Sequence, residues 1–216
     1  MPDLSRAALK SAAQALGLGL TDSQLKLLGR YAGLLREWNH RMNLVSRKDE
    51  SRILAYHVVD SLAVSSLVPA DAKVADIGTG AGLPGIPLAI ARPDLKMLLV
   101  ESSHKKCLFL ETALPELGLV NARVIEGRAE SLPGLDCDAM VSRLTGPLRE
   151  LVKQTHHHLA PGARVILFKT PSAGQELTRA AKLLSRYNLE VARTFDVTLP
   201  VSGIPRRFVV LTRLAA

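Results

Sequence analysis

Hydrophobic positions in the first third of the chain recur at helical spacing. Apolar and aromatic side chains repeat on one helical face from Leu25 to Met42, behind a capping-box pair at Thr21 and Gln24. Shorter patterns of the same period run from Leu9 to Leu16 and from Ile53 to Leu67. We therefore predict helices here, each with one buried face.

Beyond this region, short apolar runs alternate with helical patterns. The predicted strands are Lys73–Ile77, Lys96–Glu101, Ala122–Glu126, Asp138–Arg143 and Ala163–Lys169. The predicted helices are Pro84–Ala91, Ser103–Leu117, Pro147–Leu159 and Ala173–Tyr187, the last with a capping box at Ser172 and Gln175. Strands separated by helices indicate a doubly wound parallel sheet. The sequence thus predicts an N-terminal helical cap, residues 1–66, and a Rossmann-like α/β domain, residues 67–216.

The last two predicted strands, Leu189–Thr198 and Arg207–Thr212, have no helix between them. Only a loop with Pro200, Gly203 and Pro205 joins them, so we expect a hairpin that makes one edge strand antiparallel. A Rossmann-like, mostly parallel sheet that ends in such a hairpin resembles class I S-adenosylmethionine-dependent methyltransferases. This order of elements points away from dehydrogenases.

Composition indicates an ordinary globular protein. Of 216 residues, 47% are hydrophobic and 22% charged, and no apolar run reaches the roughly 20 residues of a membrane span. The amphipathic, acid-containing start MPDLSRAALK is unlike a signal peptide, so we expect a cytoplasmic protein. Cys107 and Cys137 are too few and too far apart for a disulfide framework or a zinc site. We expect two buried thiols and no metal.

The positive charge is concentrated in the C-terminal part of the chain. The net charge is +8, and from Ala139 onward twelve Lys and Arg residues face only four acidic ones. A polyanion such as RNA is one natural partner for this excess, because phosphate binding is driven by Lys and Arg. A solubilising surface explains the same composition equally well.

The stretch from Asp76 to Gly85 carries the first candidate chemistry. Gly80, Gly82 and Gly85 match the G-x-G-x-x-G pattern of a dinucleotide site, and Gly78 adds a further glycine. The helix that follows directs its free N–H groups toward an anionic ligand. Asp76 would repel a pyrophosphate, whereas S-adenosylmethionine brings one carboxylate together with an ammonium and a sulfonium. This charge argument favours S-adenosylmethionine over NAD(P), held by Asp76, Gly78, Gly80 and Gly82.

Two later segments are expected to complete the cofactor site. Glu101 ends the second strand, where a carboxylate can bind both ribose hydroxyls of either cofactor. Ala129 and Glu130 follow the third strand, next to the expected adenine, and can bind its edge. A simple helix start, with Glu130 complementing the helix dipole, explains these two residues equally well.

Several motifs taken together resemble one family. They are DIGTGAGLPGIPLA from Asp76 to Ala89, Arg92-Pro93, Tyr31, Leu34-Leu35, Trp38-Asn39, Asn43-Leu44, HVVDSL from His57 to Leu62, Gly127 to Glu130, and Ser142-Arg143. This set spans almost the whole chain and is similar to the ribosomal small-subunit methyltransferase G family, also called glucose-inhibited division protein B. The resemblance implies methyl transfer from S-adenosylmethionine to N7 of one guanine in 16S ribosomal RNA. The RNA itself or the small ribosomal subunit would be the partner.

The resemblance also assigns cofactor contacts to particular positions. They are Gly78, Leu83, Ala129, Glu130 and Arg143. Three residues depart from the family pattern, in which aspartate is common at Glu101, alanine at Leu144 and glycine at Thr170. The last two bear on the shape of the pocket for the target base.

The expected chemistry needs no acid or base. The segment VSRLTGP after the fourth strand lacks the Asn/Asp-Pro-Pro-aromatic motif of enzymes that methylate amino groups of bases. Cys137 opens its strand and is badly placed as a nucleophile for carbon methylation. Guanine N7 already exposes a lone pair, so positioning alone is sufficient. Arg143, which can orient a guanine edge, is the predicted catalytic residue.

The remaining basic candidates are assigned to RNA. We predict that Arg128, Lys169, Arg206 and Arg207 contact phosphates. The few aromatic residues offer little surface for base stacking, so the shape of the assembled particle is expected to supply specificity.

His57 and the run His156 to His158 are both interpreted as structural residues. His57 and Asp60 lie on one helical face, where they can pair and fix the helical cap to the α/β domain. Adjacent side chains in the run His156 to His158 do not share a face, so we expect them to complement a helix C-terminus rather than hold a metal.

Two further functions stay open at this point. One is a NAD(P)-dependent oxidoreductase that uses Gly80 to Gly85. The other is a non-catalytic RNA-binding module in which the cofactor pocket is only an element of the fold. We expect a monomer.

Overall fold

A seven-stranded sheet forms the centre of the protein, described here by a computed structural model of residues 4–143, 146–170 and 173–215. Its strands are β1 Lys73–Ile77, β2 Lys96–Glu101, β3 Ala122–Glu126, β4 Cys137–Ser142, β5 Leu159–Lys169, β6 Leu189–Thr198 and β7 Pro205–Arg213. Their spatial order is β3-β2-β1-β4-β5-β7-β6. β1 pairs in parallel with both β2 and β4, so the order reverses there. Ligands of open α/β sheets bind at such a reversal, outside the carboxyl ends of the strands.

Helices cover both faces of this sheet. They are α1 Arg6–Ala15, α2 Asp22–Asn39, α3 Val59–Leu62, α4 Gly85–Ala91, α5 His104–Glu116, α6 Leu148–Thr155 and α7 Gly174–Arg186. Short 3₁₀ turns occupy Arg47–Arg52, Ser65–Leu67, Ala129–Ser131 and His156–His158, and a π-helical turn occupies Ile53–Val58. No helix in the described ranges combines the length and apolar character needed to cross a bilayer.

The predicted C-terminal hairpin is present. β7 pairs antiparallel with β6 and also with β5, so it lies between them. The antiparallel strand is therefore second from the edge, and the edge strand is β6. Charged residues along β6, including Glu190, Arg193 and Asp196, are exposed, which protects an open sheet edge from pairing with another chain.

Most predicted elements lie where the sequence placed them, and the largest differences have physical reasons. β1, β2, β3 and β6 have the predicted bounds. β5 begins earlier, at Leu159, because Leu159 already pairs with Cys137 of β4. The helix predicted from Ile53 to Leu67 is divided into the π turn, α3 and a 3₁₀ turn. The predicted capping box of the last helix cannot be compared, since Ser172 lies outside the described residues.

The helical cap is joined to the sheet domain by hydrogen bonds as well as by packing. The predicted capping box of α2 is confirmed, because Gln24 N donates to Thr21 Oγ1 at 3.2 Å and Thr21 N donates to Gln24 Oε1 at 2.8 Å. The Gln24 amide also donates to Ile90 O and Ala91 O, at 2.9 and 3.1 Å, and so satisfies carbonyls at the end of α4. The Gln24 side chain thus caps the N-terminus of α2 and the C-terminus of α4.

Two apolar cores lie on opposite faces of the sheet. The first contains Leu28 and Leu35 of α2 together with Ile86 of α4 and Phe109 of α5. The second lies beneath α6 and α7. Because the first core includes both the cap and the sheet domain, the boundary predicted between residues 66 and 67 stays a prediction.

Both cysteines are free and buried, as predicted. Burial raises the pKa of Cys107 and of Cys137 to about 11. The thiols are therefore protonated at neutral pH and act as small apolar side chains. Within the described part of the chain, no group of three or more His, Cys, Asp or Glu side chains is arranged to hold a metal ion.

Candidate functional site

The glycine loop, residues 78–84, joins β1 to α4. Gly78, Gly80 and Gly82 have φ values of 68°, 61° and 87°. At Gly82 a Cβ would lie 2.5 Å from Cδ1 of Ile86, so glycine is required there for packing as well as for backbone conformation. At Gly80 the nearest atom to such a Cβ is Gly78 O at 3.9 Å. The loop therefore leaves open space above Gly80, at the carboxyl end of β1.

Asp76 lies beneath this loop and organises it. The side chain is buried, and its Oδ2 accepts hydrogen bonds from Thr79 Oγ1 at 2.6 Å and from Gly85 N at 2.8 Å. Burial raises the pKa of Asp76 to about 7, although these bonds and the charge of Arg143 act in the opposite direction. The sequence argument treated Asp76 as permanently charged at the mouth of the crevice. The structure corrects that picture, because a buried carboxyl with this pKa is partly protonated at neutral pH.

The second carboxyl oxygen of Asp76 differs from the first. Its Oδ1 is buried and has no hydrogen-bond partner among the described residues. Leaving a buried acceptor unpaired is unfavourable, so a donor from a ligand is expected at this atom.

Glu101 supports the loop from the end of β2. It is buried, with Oε2 accepting from Gly80 N at 3.0 Å and Oε1 accepting from Ser103 N at 2.9 Å. Each carboxylate oxygen has a second lone pair, which can accept a hydrogen bond from a ligand hydroxyl. The predicted adjacency of Glu101 to the glycine loop is thus present.

The other predicted cofactor residues lie along the same ends of the strands. Leu83 and Ala129 are buried, while Arg128 and Glu130 are exposed. The turn that carries Ala129 follows β3, and Gly127 N donates to Glu101 O at 2.9 Å, which fixes this turn beside β2. These residues and the glycine loop thus lie together at the carboxyl ends of β1, β2 and β3, a region hereafter called the crevice.

A buried charge cluster stands at the end of β4. Asp60 of α3 is fully buried and binds two arginines. Arg143 NH2 lies 3.1 Å from Asp60 Oδ2, and Arg206 donates from Nε and NH2 to both Asp60 oxygens at 2.9 and 3.1 Å. Arg143 also donates to Ser61 Oγ at 3.3 Å. One carboxylate thus holds two guanidinium groups, one after β4 and one at the start of β7.

His57 is not the partner of Asp60, contrary to the sequence-based expectation. Its Nδ1 faces Arg143 NH2 at 3.3 Å, and its Nε2 lies 3.9 Å from Asp49 Oδ2. Burial and then the Arg143 charge lower the pKa of His57 to about 4. His57 is therefore neutral, and the expected link between the helical cap and the α/β domain runs from Asp60 to the two arginines.

Beside this cluster a cavity of about 860 Å³, hereafter the strand-end cavity, opens where β4 and β5 end. Its lining consists of Tyr56, Asp60, Arg143, Pro147, Leu148, Arg149, Phe168, Lys169, Thr170, Ala173, Gln175, Glu176, Arg179 and Arg206. Among these described residues five are basic and two are acidic. Arg143 lines the cavity, and the preceding Ser142 donates to Ile77 O at the end of β1 at 3.2 Å, so the cavity adjoins the crevice.

Three of the four predicted RNA-binding residues already have acidic partners. Arg206 binds Asp60, as described above. Arg207 forms a two-bond pair with the exposed Asp196, at 2.7 and 2.6 Å. Lys169 Nζ lies 3.0 Å from Glu176 Oε1. Arg128 is exposed.

Each of the three adjacent histidines contacts a main-chain carbonyl. His156 Nδ1 lies 3.2 Å from Val152 O and 3.1 Å from Lys153 O in the last turn of α6. His158 is buried, with Nε2 2.9 Å from Ala129 O. The expected role at a helix C-terminus is therefore confirmed for His156. His158 instead links β5 to the turn of the crevice.

Sequence reasoning missed four residues that line the strand-end cavity. Tyr56 and Phe168 are aromatic, and Arg149 and Arg179 are exposed cations without an ion-pair partner in residues 4–143, 146–170 and 173–215. No local motif marks them, because they lie on four different elements. Of the two departures expected to shape this pocket, Thr170 lines the cavity and Leu144 lies outside the described residues.

The fold is similar to that of solved structures that include an S-adenosylmethionine-dependent methyltransferase. One is such an enzyme from Aquifex aeolicus, with a TM-score of 0.56 and 17% identity, covering 75% of this chain and 93% of that chain. Another is TYW2 from M. jannaschii in complex with AdoMet, with a TM-score of 0.59 and 13% identity, covering 72% of this chain and 74% of that chain. These likenesses show the fold that this chain shares with an S-adenosylmethionine-dependent methyltransferase and with a protein solved in complex with AdoMet.

Comparison of the amino-acid sequence with known proteins assigns the chain to a family. A family model described as GidB: rRNA small subunit methyltransferase G matches residues 24–199. The ribosomal RNA small subunit methyltransferase G of Chromobacterium violaceum is 37% identical over 207 residues, which cover 95% of this chain and 97% of that protein. That of Aromatoleum aromaticum is 35% identical over 215 residues, covering 97% of this chain and all of that protein. The chain belongs to the rRNA small subunit methyltransferase G family, and the resemblance noted from its motifs is confirmed.

Proposed function

We propose that this protein transfers the methyl group of S-adenosylmethionine to N7 of a guanine in 16S ribosomal RNA of the small subunit. The observation that carries the choice of N7 is the state of the acidic groups in the strand-end cavity. Asp60 is held by two arginines and Glu176 by Lys169. Neither is free to act as a base, so the acceptor must present its lone pair without losing a proton. Guanine N7 meets that requirement.

The crevice fits the cofactor on two features of its own residues. Open space lies above Gly80, and the buried Oδ1 of Asp76 requires a donor, which the ammonium group of S-adenosylmethionine provides. We assign the ribose hydroxyls to Glu101 and the adenine to Ala129 and Glu130. Gly78, Gly82 and Leu83 complete the contacts. S-adenosylmethionine would supply an electrophilic methyl group at this position.

The chain itself contributes positioning. Arg143 lies where the crevice meets the cavity, and Asp60 holds its guanidinium in place. We propose that Arg143 orients the guanine so that N7 approaches the methyl group in line, at roughly 3–3.5 Å. A preorganised cation needs no rearrangement during the reaction, which is the usual advantage of such groups.

RNA phosphates would be bound outside the reacting centre. We assign them to Arg128, Lys169, Arg206 and Arg207, as the sequence suggested. The exposed Arg149 and Arg179 at the cavity extend this basic surface. In this proposal the protein acts as a monomer in the cytoplasm, with residues 1–66 as a cap on the catalytic domain of residues 67–216.

Label transfer tests the proposal. Small subunits from cells that lack this protein are incubated with it and with S-adenosylmethionine carrying a labelled methyl group, and the RNA is digested to nucleosides. We expect label only in N7-methylguanosine of 16S RNA. Label in another nucleoside would contradict the proposal. Subunit binding without label would instead favour a non-catalytic RNA-binding module.

A calorimetric titration distinguishes the proposed methyltransferase from the remaining alternative, a NAD(P)-dependent oxidoreductase. We expect heat of binding with S-adenosylmethionine and none with NAD or NADP, because a pyrophosphate has no donor for the buried oxygen of Asp76. Tight binding of NAD alone would support an oxidoreductase.

A further inference from the structure

Tyr56 occupies an unusual place in the fold. It lies in the π-helical turn Ile53–Val58, which widens the helix just before α3. Single π turns of this kind occur often at functional sites. Tyr56 lines the strand-end cavity together with Asp60, one helical turn further on. The turn therefore presents an aromatic ring beside the charge cluster.

The Tyr56 side chain is available to a ligand. Its ring is half-buried, and no hydrogen bond to its hydroxyl exists within the part of the chain that the structure describes. The Arg52 guanidinium lies over the ring, 4.6 Å from its centroid, and Arg52 is itself held by Asp49 at 2.6 Å. The His57 ring packs perpendicular to it, with the two centroids 4.9 Å apart. The part of the Tyr56 ring that lines the cavity remains open to a second planar group.

The second aromatic residue of the cavity is not available in the same way. Phe168 is buried, with the Arg143 guanidinium 5.6 Å from its ring centroid and Phe208 packed edge-on at 5.1 Å. Phe168 and Tyr56 thus each contact a guanidinium and a perpendicular ring, and the difference between them is the burial of Phe168. Of the two aromatic side chains among the described lining residues, only Tyr56 has a partly exposed ring.

We propose that Tyr56 is the surface on which the target guanine stacks after it has left the RNA stack; this inference rests on the function proposed above. The cavity, at about 860 Å³, falls in the range of roughly 300–1,000 Å³ that is typical of small-ligand sites and can admit one nucleotide. A base read in this way is usually stacked on an aromatic side chain and held at its edge by polar groups. Tyr56 supplies the face and Arg143 the edge contact.

Substitutions at Tyr56 test the inference. Tyr56→Leu removes the ring and keeps an apolar side chain, and Tyr56→Phe removes only the hydroxyl. Tyr187→Leu is the matched control, since Tyr187 stacks on His156 at 3.9 Å and does not line the cavity. We expect Tyr56→Leu to lower kcat/KM for small subunits by roughly five- to hundredfold. Tyr56→Phe should restore most of the loss, and the calorimetric affinity for S-adenosylmethionine should stay at the wild-type value in all three variants.

Several results would overturn the proposal that the target guanine stacks on Tyr56. They are a Tyr56→Leu variant as active as wild type, a Tyr56→Phe variant as impaired as Tyr56→Leu, and a Tyr187→Leu variant with the same loss. A loss of cofactor affinity in Tyr56→Leu would also count against it, because the ring would then support the crevice. If the wild-type protein methylates no guanine, the proposed function fails whatever these variants do.

A fluorescence measurement covers the case in which Tyr56→Leu does not fold or methyl transfer fails. The chain has one tryptophan, so Tyr56→Trp in a Trp38→Phe background leaves a single indole at the cavity. We expect small subunits to quench its emission, because stacked bases quench indoles. Binding of subunits without quenching would contradict stacking at this position.

Discussion

The crevice above β1 to β3 and the strand-end cavity are built in opposite ways. In the crevice, the bonds of Asp76 reach only to Thr79 and Gly85, three and nine positions away. In the cavity, Asp60 and Arg206 are 146 positions apart. A ligand held by nearby backbone can be predicted from a short motif, whereas a pocket formed from distant side chains exists only in the folded protein.

The two regions also depend on different forces. The crevice requires close packing and glycine geometry, because the glycine loop approaches the side chains of Asp76 and Glu101 with its main chain. The cavity requires charge pairing, because two guanidinium groups share one buried carboxylate. Substitutions can therefore damage one region through steric overlap and the other through unpaired charge.

The largest effect is expected at Asp60. Asp60→Ala leaves two largely buried guanidinium groups facing each other, which should lower the free energy of unfolding by about 3–5 kcal/mol. Asp196→Ala is the control, because Asp196 also forms a two-bond pair with an arginine but is exposed, so its loss should have a much smaller effect on the free energy of unfolding. Urea denaturation followed by circular dichroism measures both. Equal losses would show that burial of the cluster has no energetic consequence.

Gly85→Ala should have the next largest effect, in the crevice. The added Cβ would overlap Leu99 Cδ2 and lie 2.8 Å from Asp76 Oδ2, so either these side chains or α4 must shift. We expect a loss of about 1–3 kcal/mol in unfolding free energy. Cofactor affinity should fall with it, because the Gly85 N–H bond orients Asp76.

Gly29→Ala provides the matched control for this substitution. Gly29 lies inside α2, and no atom comes within 4 Å of a Cβ placed there. Alanine should stabilise the helix by roughly 0.5–1 kcal/mol at such a position. Stabilisation of both Gly85→Ala and Gly29→Ala would contradict the close packing of α4 against the sheet at Gly85.

The affinity for S-adenosylmethionine should increase with pH around neutrality. Burial raises the pKa of Asp76 to about 7. In the binding mode proposed above, the ammonium group pairs with the deprotonated carboxylate. Below that pKa the association constant should fall by up to about tenfold per pH unit. Calorimetry from pH 6 to pH 8 measures this, and Asp76→Asn should remove the dependence.

The same pKa shift sets the direction of a stability change. Because the pKa of Asp76 is higher in the folded than in the unfolded chain, its stabilising contribution is present at low pH and is lost as pH rises toward 7. The free energy of unfolding of Asp76→Asn, relative to wild type, should therefore increase between pH 4 and pH 7. A difference independent of pH would contradict the burial of this carboxyl.

The smallest effects are expected at the rim of the cavity. Arg149→Ala and Arg179→Ala should each weaken binding of small subunits severalfold and reduce the slope of log K against log salt by about 0.7 per lost phosphate contact. Lys182→Ala is the control, because Lys182 lies on α7 with Arg179 but does not line the cavity. If the salt dependence of both rim variants is as steep as that of wild type, Arg149 and Arg179 do not bind RNA phosphates.

Much of the fold could be predicted because its signals are local. The alternation of apolar runs and helices placed β1, β2 and β3, and the missing helix before β7 predicted the hairpin. The position of β7 inside the sheet could not be predicted, since it depends on pairing with β5. The interrupted helix after Ile53 has no signal in apolar spacing, because a π turn changes the register without changing composition.

In the candidate site, too, the features with local signals could be predicted and those that depend on distant contacts could not. The glycine loop and Glu101 are adjacent as the motif implied, and Arg143 was identified at the end of β4. The pairing of Arg143 with Asp60 was missed, because spacing on one helix suggested His57 as the partner. The charge of Asp76 was misjudged because burial cannot be seen in a motif. Tyr56 joins the cavity only through tertiary folding.

Cofactor affinity in two variants tests most directly whether the two regions hold different ligands. Titration of S-adenosylmethionine into Glu101→Ala should show affinity weakened by about tenfold or more, because a charged acceptor is lost. The same titration into Tyr56→Leu should give the wild-type affinity. Wild-type affinity in Glu101→Ala together with lost affinity in Tyr56→Leu would place the cofactor in the strand-end cavity and contradict this account.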